Sequence, residues 1–336
     1  MAKARLLRKE FHDRLALHVL HQTDLRQEFK AAVAEGLAAA PKSIPPKFFY
    51  DRRGSELFER ITETEEYYPT RTEAWILARF GAEMIEAAGN PGTLVEFGSG
   101  SSTKTRMLLD QLAARNDRIE YVPIDISASI VEAFGPQLLA DYPALSISGL
   151  ITDYHHALRA LRNEPAPPRL FLFLGSSLGN FDLPDARAFL EEVRLSMQPA
   201  DRMLLGVDLI KQTSLLHRAY NDAEGVTAAF NLNLLARINR ELGGAFDLKR
   251  FRHKAFFNRA ASRIEMHLES PAPQTVRVAS LGREFTFAQG ETIHTENSYK
   301  YDYAMLQGLF DGAGLRLQQR WIDPEEWFAL HLLTRG

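Results

Sequence analysis

One stretch of the chain, Thr93–Asp110, joins a short apolar run to a glycine turn and a helix-like pattern. The run Leu94–Phe97 is followed by Gly98-Ser99-Gly100, and a second apolar run further on ends at a single acid, Asp125. Strand, glycine turn, helix, strand and acid is the order in which an open parallel sheet binds a nucleoside. The glycines let the backbone approach the ligand, and the acid can accept hydrogen bonds from both ribose hydroxyls.

The ligand class follows from what this turn lacks. A dinucleotide-binding turn has a third glycine in GxGxxG, but Thr103 stands at that position here. The GxxxxGK[ST] pattern of a phosphate-binding loop is also absent. A single GxG with an acid 27 residues after Gly98 suits S-adenosylmethionine, which has a ribose and no phosphate. An ordinary tight turn remains an alternative at this point.

Composition limits the class of protein. The 336 residues are 45% hydrophobic, which is enough for a sizeable core and one or two domains. A net charge of −3 argues against a broad basic face for nucleic acid, and the lack of cysteine excludes disulfides and thiolate metal sites. The basic start is not followed by an apolar run, and no segment reaches membrane-spanning length. We expect a soluble cytoplasmic monomer without nucleic-acid or membrane partners.

The first ninety residues contain several helical patterns. Residues 1 to about 40 are predicted to be helical, whereas Pro45 and Pro46 exclude a continuous helix over residues 41–51. A fresh helix is expected after Pro69, capped by Thr70 or Thr72.

From Thr93 onwards, near-continuous apolar runs alternate with helical stretches, as in a parallel sheet covered on both faces. The predicted strands are Leu94–Phe97, Tyr121–Ile126, Leu145–Ile151, Leu170–Leu174 and Met203–Leu209, and Pro184–Met197 is one of the helices between them. A helical block at Ser214–Leu242 and partly exposed antiparallel strands follow. The last stretches are predicted as a helix at Tyr301–Gly312 and strands at Leu315–Trp321 and Trp327–Leu333. We therefore predict an α/β nucleoside-binding sheet from residues 72–210 and 300–336, capped by a smaller α+β unit from residues 1–71 and 211–299.

The chain resembles the bacterial L-histidine Nα-methyltransferases of ergothioneine biosynthesis over nearly its whole length. The motifs that carry the resemblance are PKSIPPKFFYD, EYYPTRTEA, LVEFGSGSSTKTRMLLD, FLGSSLGNFD, LLGVDLIK, RAYNDAEGVTAAFN, RIEM and TENSYK. It implies a Rossmann-like class I methyltransferase sheet with a smaller α+β substrate domain. It also implies that the enzyme uses S-adenosyl-L-methionine to convert L-histidine into hercynine, its Nα-trimethyl betaine, in the first step of ergothioneine biosynthesis.

The resemblance also implies a set of cofactor-binding residues. Gly98 lies at the turn, Lys104 near the methionine end of the cofactor, and Asp125 at the ribose. Asp153 is expected to accept the adenine amino group, and Tyr154, where the family often has Phe, to pack on the base. Without the resemblance, Lys104 also fits a solvated surface cation and Asp153 a helix N-cap.

The resemblance further implies two groups of substrate residues. Asn180 and Tyr220 are expected at the backbone of the amino acid, with Gly175 allowing main chain to approach its nitrogen. The imidazole is assigned to an acid and a hydroxyl with aromatic and apolar neighbours, namely Tyr50, Tyr67, Met266, Glu296 and Ser298. Asn297 is expected to point away from the pocket, because side chains alternate along a strand. Packing tyrosines and an exposed glutamate are the structural alternatives.

Neither a metal site nor a general base is indicated. Of His12, His18 and His21, only the last two would share a face of the predicted helix. Three functions remain open: Nα-trimethylation of histidine, N-methylation of another amino acid such as tryptophan, and non-catalytic binding of S-adenosylmethionine.

Overall fold

The computed structural model describes residues 7–20, 24–100, 102–162 and 167–336, with side chains from residue 13 onwards. The strands are β1 (Leu7–His12), β2 (Leu15–Val19), β3 (Lys42–Ser43), β4 (Thr93–Phe97), β5 (Ile119–Asp125), β6 (Leu145–Ile151), β7 (Arg169–Phe173), β8 (Arg202–Asp208), β9 (Arg252–Asn258), β10 (Arg263–Glu269), β11 (Gln274–Val278), β12 (Arg283–Phe287), β13 (Thr292–Tyr299), β14 (Leu315–Ile322) and β15 (Phe328–Arg335). The helices are α1 (Leu25–Gly36), α2 (Arg52–Glu63), α3 (Tyr68–Ala87), α4 (Thr103–Ala113), α5 (Ala128–Asp141), α6 (Tyr154–Leu161), α7 (Leu183–Ser196), α8 (Thr213–Ala219), α9 (Val226–Leu242) and α10 (Tyr303–Ala313).

The larger sheet has the strand order β1-β2-β6-β5-β4-β7-β8-β15-β14. The strands from β2 to β8 are parallel, and β15 runs antiparallel between β8 and β14. Without its first two strands, this is the arrangement expected for a class I methyltransferase, so the predicted fold class is confirmed. The five strands predicted between residues 94 and 209 are confirmed to within two residues.

The sheet is apolar on both faces, since every residue of β4 and β7 is buried. On one face, Phe97 and Phe173 of the sheet pack with Phe189 of α7. The other face packs against α3, α4 and α5. Because all the parallel strands point the same way, their carboxyl ends meet along one edge. That edge carries the glycine turn after β4, Asp125 and Asp208.

The capping unit consists of α1, β3, α2 and the segment from α8 to β13. Its main sheet has the order β3-β13-β10-β9, and β11 and β12 form a separate hairpin. A hydrophobic core of its own, rich in phenylalanine, lies between the sheet and α9. The unit leaves the large sheet after β8 and returns at Tyr301, where Leu209 and Tyr301 form a β-bridge. It therefore lies over the carboxyl edge of β8.

Several local predictions are wrong. Residues 7–12 and 15–19 form strands that extend the large sheet beside β6, not a helix, so His12 and His18 share no helical face, while His21 lies outside the described residues. The helix predicted after Pro69 starts earlier, at Tyr68, and not at a threonine cap, because Pro69 fits its first turn. The block at residues 214–242 is two helices, since Gly225 has a φ of +71°. The boundaries of two domains stay a prediction, with residues 7–19 lying in the large sheet.

Within the described residues, no helix is both long and apolar enough to cross a membrane.

Candidate active site

The turn after β4 contains several residues in the left-handed backbone conformation. Gly98 and Gly100 have φ values of +69° and +49°, and Ser102 also has a left-handed conformation. The Gly98 N–H donates to the carbonyl of Ile124 (3.0 Å), which ties the turn to the end of β5. A Cβ on Gly98 would lie 2.9 Å from the Tyr154 hydroxyl, whereas one on Gly100 would meet nothing within 4 Å. Among the described residues there is thus free space beside Gly100, while Gly98 lies close to Tyr154.

Glu96 holds the residues around this turn in place through hydrogen bonds. Its buried carboxylate accepts hydrogen bonds from the Thr105 hydroxyl (2.7 and 2.8 Å) and from the Tyr121 hydroxyl, which also contacts Ser102. Burial raises the pKa of Glu96 to about 7, against the effect of these hydrogen bonds. Glu96 therefore ties β4 and β5 to the first turn of α4.

Asp125 and Tyr154 lie next to this turn. The Asp125 carboxylate accepts the Ser127 N–H (2.9 Å) and retains lone pairs for a ligand, while burial raises its pKa to about 6. The ring of Tyr154 packs on that of Phe97, with 5.4 Å between their centroids. Burial is the main cause that raises the pKa of Tyr154, and the nearby charge of Asp125 raises it further. The structure thus brings Gly98, Asp125 and Tyr154 together.

Asp153 has two other partners. One carboxylate oxygen caps α6 by accepting the His156 N–H (2.9 Å), and the other contacts Nδ1 of the same histidine (2.7 Å). The N-cap alternative is therefore present in the structure, and an adenine contact would use the remaining lone pairs.

Lys104 is not a free surface cation. Its ammonium pairs with the fully buried carboxylate of Glu73 (2.5 Å), and Glu73 also accepts the Gly175 N–H at 2.9 and 3.0 Å. Gly175 has a φ of +74°, and a Cβ there would lie 3.3 Å from Lys104 Nζ. Glu73 thus joins α4 to the loop after β7, a role that sequence patterns did not identify.

Glu296 and Ser298 project from one face of β13. The Ser298 and Tyr220 hydroxyls lie 2.7 Å apart, while Asn297 on the opposite face bonds His294 and Asp182, as the alternation predicts. Glu296 is buried, and within the described residues its carboxylate has no hydrogen bond or ion pair. Burial raises its pKa to about 7, although Lys300 counters part of the effect.

The remaining predicted substrate residues surround this acid. The Tyr67 ring lies 6.3 Å from that of Tyr220, and the charge of Glu296 acts on Tyr50, Tyr67 and Tyr220. Met266 is buried directly opposite Glu296 in the β10–β13 ladder. Tyr50 is more open, with 40% of its surface exposed.

Asn180 ends a 3-10 turn, Ser177–Asn180, that follows Gly175 and packs on β13. A Cβ on Gly179 would lie 2.9 Å from the Tyr299 carbonyl, so the turn and the strand are in close contact. The Asn180 side chain makes no hydrogen bond within the described part of the chain and is available to a ligand.

A buried charge cluster next to Tyr220 and Ser298 was missed. Asp208, fully buried at the end of β8, accepts hydrogen bonds from the Tyr68 hydroxyl (2.7 and 2.9 Å), Lys211 and Lys300 (2.9 Å). Burial raises the Asp208 pKa, but the two lysines outweigh it and hold that pKa below its usual range; burial lowers the pKa of Lys211 to about 8. All four residues lie in quoted motifs, yet no spacing rule pairs them.

No group of three or more potential metal ligands occurs among the residues that the structure describes.

The sheet order, with a glycine turn after β4 and Asp125 at the end of β5, is that of a Rossmann-like methyltransferase. A family model described as histidine-specific, SAM-dependent methyltransferase matches residues 29–335. The chain belongs to this family, which confirms the predicted family, enzyme class and cofactor.

Individual relatives agree with this result. The chain is 46% identical over 311 residues to a histidine N-alpha-methyltransferase of Mycolicibacterium smegmatis, covering 93% of this chain and 95% of that protein. It is 43% identical to the protein of the same name from Mycobacterium tuberculosis, covering 90% and 94%. Ergothioneine biosynthesis protein 1 of Neurospora crassa is 30% identical, and the match covers 96% of this chain and 36% of that protein.

Proposed function

We propose that the enzyme transfers three methyl groups in succession to the α-amino nitrogen of L-histidine, giving hercynine for ergothioneine biosynthesis. The observation that carries the choice of histidine is Glu296, a buried carboxylate that makes no hydrogen bond or ion pair in the described structure and lies near the hydroxyls of Ser298 and Tyr220. A neutral imidazole has one N–H to donate and one lone pair to accept with, so an acid beside a hydroxyl complements it. Both mycobacterial relatives carry a histidine methyltransferase name.

The residues present at the turn fit S-adenosylmethionine, which supplies an electrophilic methyl group on a sulfonium. We propose that Asp125 binds its ribose hydroxyls and that Tyr154 packs on its adenine. Gly98, which has no side chain, would let the cofactor approach the main chain of the turn. Lys104 would lie at the methionine end, held in place by Glu73. Asp153 would contact the adenine with the lone pairs that its contacts to His156 leave over.

The protein contributes mainly by orientation. A neutral amine must approach the methyl group in line, and holding two reactants in that geometry supplies much of a rate enhancement. We propose that Asn180 holds the carboxylate of histidine, that a lone pair of the Tyr220 hydroxyl accepts from its amine, and that Gly175 allows close approach. Tyr50, Tyr67 and Met266 would enclose the ring. These aromatic and apolar walls exclude water from the reacting atoms.

The decisive experiment incubates the purified enzyme with S-adenosylmethionine and an equimolar mixture of amino acids, followed by mass spectrometry. We expect histidine alone to gain three methyl groups. Methylation of tryptophan or another amino acid would refute the assignment of Glu296, and no methylation with the cofactor bound would favour a binding protein.

The Asn180 assignment has a separate test. Because its amide is free to bind the amino acid, Asn180→Ala is expected to raise the KM for histidine at least about tenfold and to leave the Kd for S-adenosylmethionine near the wild-type value. An unchanged KM would remove Asn180 from the site.

We further propose that the enzyme acts as a cytoplasmic monomer. Light scattering of the purified protein measures its mass against the 38.0 kDa of one chain. Localisation of a fluorescent fusion tests the compartment.

A further inference from the structure

Lys300 lies directly behind the two hydroxyls of the pocket and is almost fully buried. Its ammonium is 2.9 Å from the Tyr220 hydroxyl, 2.8 Å from the Ser298 hydroxyl and 2.9 Å from an oxygen of Asp208. An ammonium has three N–H donors and no acceptor. Its three donors therefore match three acceptors, one of which anchors the lysine to the large sheet.

These contacts restrict the protons of the hydroxyl pair. A hydroxyl has one proton and two lone pairs, and Lys300 fills one lone pair on each oxygen. The 2.7 Å contact between Tyr220 and Ser298 uses one of their two protons. The oxygen that accepts within the pair then has both lone pairs filled, so its own proton can only point away from the pair.

We propose that Lys300 is a positioning residue that makes this pair donate a single proton, from Ser298, to the lone pair of the substrate's imidazole. In this arrangement Tyr220 donates to Ser298 and packs its ring against Tyr67. Glu296, two residues before Ser298 on the same face of β13, accepts the ring N–H. Towards the imidazole the site then offers one donor and one acceptor, and Ser298 can only donate there because Lys300 and Tyr220 together fill both of its lone pairs.

The inference rests on the proposed function, since it concerns how histidine is recognised. It deepens that function by assigning a role to a residue that touches the substrate only through others. Asp208 is also bonded by Lys211 and Tyr68, so a cation remains beside it when Lys300 is replaced.

Two histidine analogues separate the donor from the acceptor. The regioisomers of pyrrolylalanine keep a ring N–H but lack the lone pair, and thiazolylalanine keeps the lone pair but lacks the N–H. For the wild-type enzyme we expect kcat/KM with pyrrolylalanine to be about 10- to 100-fold below that with histidine, because a buried donor is left without an acceptor. In Lys300→Met this ratio should fall below about threefold, while discrimination against thiazolylalanine stays at the wild-type level.

Lys211→Met is the matched control, because Lys211 also binds Asp208 but has no contact with either hydroxyl in the described structure. It is expected to lower stability and to keep the wild-type ratio between histidine and pyrrolylalanine. If circular dichroism shows Lys300→Met to be unfolded, Lys300→Arg takes its place, since a planar guanidinium cannot reproduce the three contacts. Lys300→Arg is expected to lose the discrimination.

The outcomes are distinguishable. A wild-type enzyme that does not methylate histidine would overturn the proposed function itself. A wild-type enzyme that methylates histidine but accepts pyrrolylalanine equally well, or a folded Lys300 variant that keeps the full ratio, would overturn the role of Lys300 alone.

Discussion

The proposed cofactor side and the proposed substrate side of this site are built in different ways. The cofactor side comes from one continuous segment, which runs from Gly98 to Asp125. The shape of its glycine turn depends on backbone conformation and on the hydrogen bonds of Glu96. The substrate side brings together residues from the start of α3, the loop after β7, the end of α8, β10 and β13, and the buried Asp208–Lys300 pair stabilises it. One side thus depends on local geometry and the other on long-range contacts, so substitutions should separate them.

Replacing Asp208 should have the largest effect, because it tests the long-range support. Asp208→Asn leaves Lys211 and Lys300 without their shared counter-ion, and breaking a buried pair costs about 3–5 kcal/mol. Urea denaturation is expected to show a loss of this size together with a raised KM for histidine. Asp182→Asn, at a more exposed pair with Arg263, should cost no more than about 1 kcal/mol. Equal losses in the two variants would contradict the contrast.

Glu296 gives the substrate side a distinctive dependence of stability on pH. Its folded pKa of about 7 is raised from 4.5, so its stabilising contribution is complete below pH 4.5 and is lost as the pH rises through 7. Relative to wild type, Glu296→Gln should therefore gain up to about 3 kcal/mol in free energy of unfolding between pH 5 and pH 8. The measurement is urea denaturation without substrate at both pH values.

Glu265→Gln on the neighbouring strand is the control. Burial alone would raise the pKa of Glu265, but bonds from Asn258, Arg263 and His267 lower it overall. Its contribution is thus present above pH 4.5, and the difference from wild type should stay nearly flat from pH 5 to pH 8. A flat difference for Glu296→Gln as well would show that the acid is not buried as described.

Gly98→Ala tests the local side. A left-handed alanine is strained by about 1–2 kcal/mol, and its Cβ would contact the Tyr154 hydroxyl. The Kd for S-adenosylmethionine, measured by calorimetry, should rise at least about tenfold. Gly282→Ala has a similar φ, +60°, but nothing within 4 Å, so it should lose comparable stability and bind the cofactor normally. Normal binding by Gly98→Ala would remove the turn from the cofactor site.

Tyr154→Phe should have the smallest effect. The ring packs on Phe97, and the hydroxyl makes no hydrogen bond within the described residues. We expect the Kd for S-adenosylmethionine to stay within about threefold of wild type. A tenfold loss would mean that the hydroxyl binds the cofactor directly.

The same difference explains what the sequence could predict. The turn and five strands of the sheet were predictable because apolar runs, glycines and Asp125 follow one another along the chain. The predicted substrate residues came from the resemblance to a family, since Tyr67, Tyr220 and Glu296 are too far apart in the sequence for any spacing rule. Asp208 and Lys300 were missed because a lysine and an aspartate 92 residues apart look like surface charges until the fold pairs them.

The hydrophobic pattern at the start of the chain was misleading. Leu15 and Leu17 alternate with less buried neighbours, which is a strand pattern, but the charges around them suggested an amphipathic helix. Pairing with β6 decides between the two, and that contact lies more than 100 residues away.

The position of β15 has a consequence for how the chain folds. This strand fills the gap between β8 and β14, and Phe328 pairs with Asp208 across 120 residues of sequence. Contacts of such high sequence separation form late and slow the folding of a domain. During synthesis, one edge of β8 therefore remains unpaired until the whole capping unit and β15 have been made. Unpaired strand edges are prone to aggregate. Capture of nascent chains by a chaperone should peak between the emergence of β8 and that of β15.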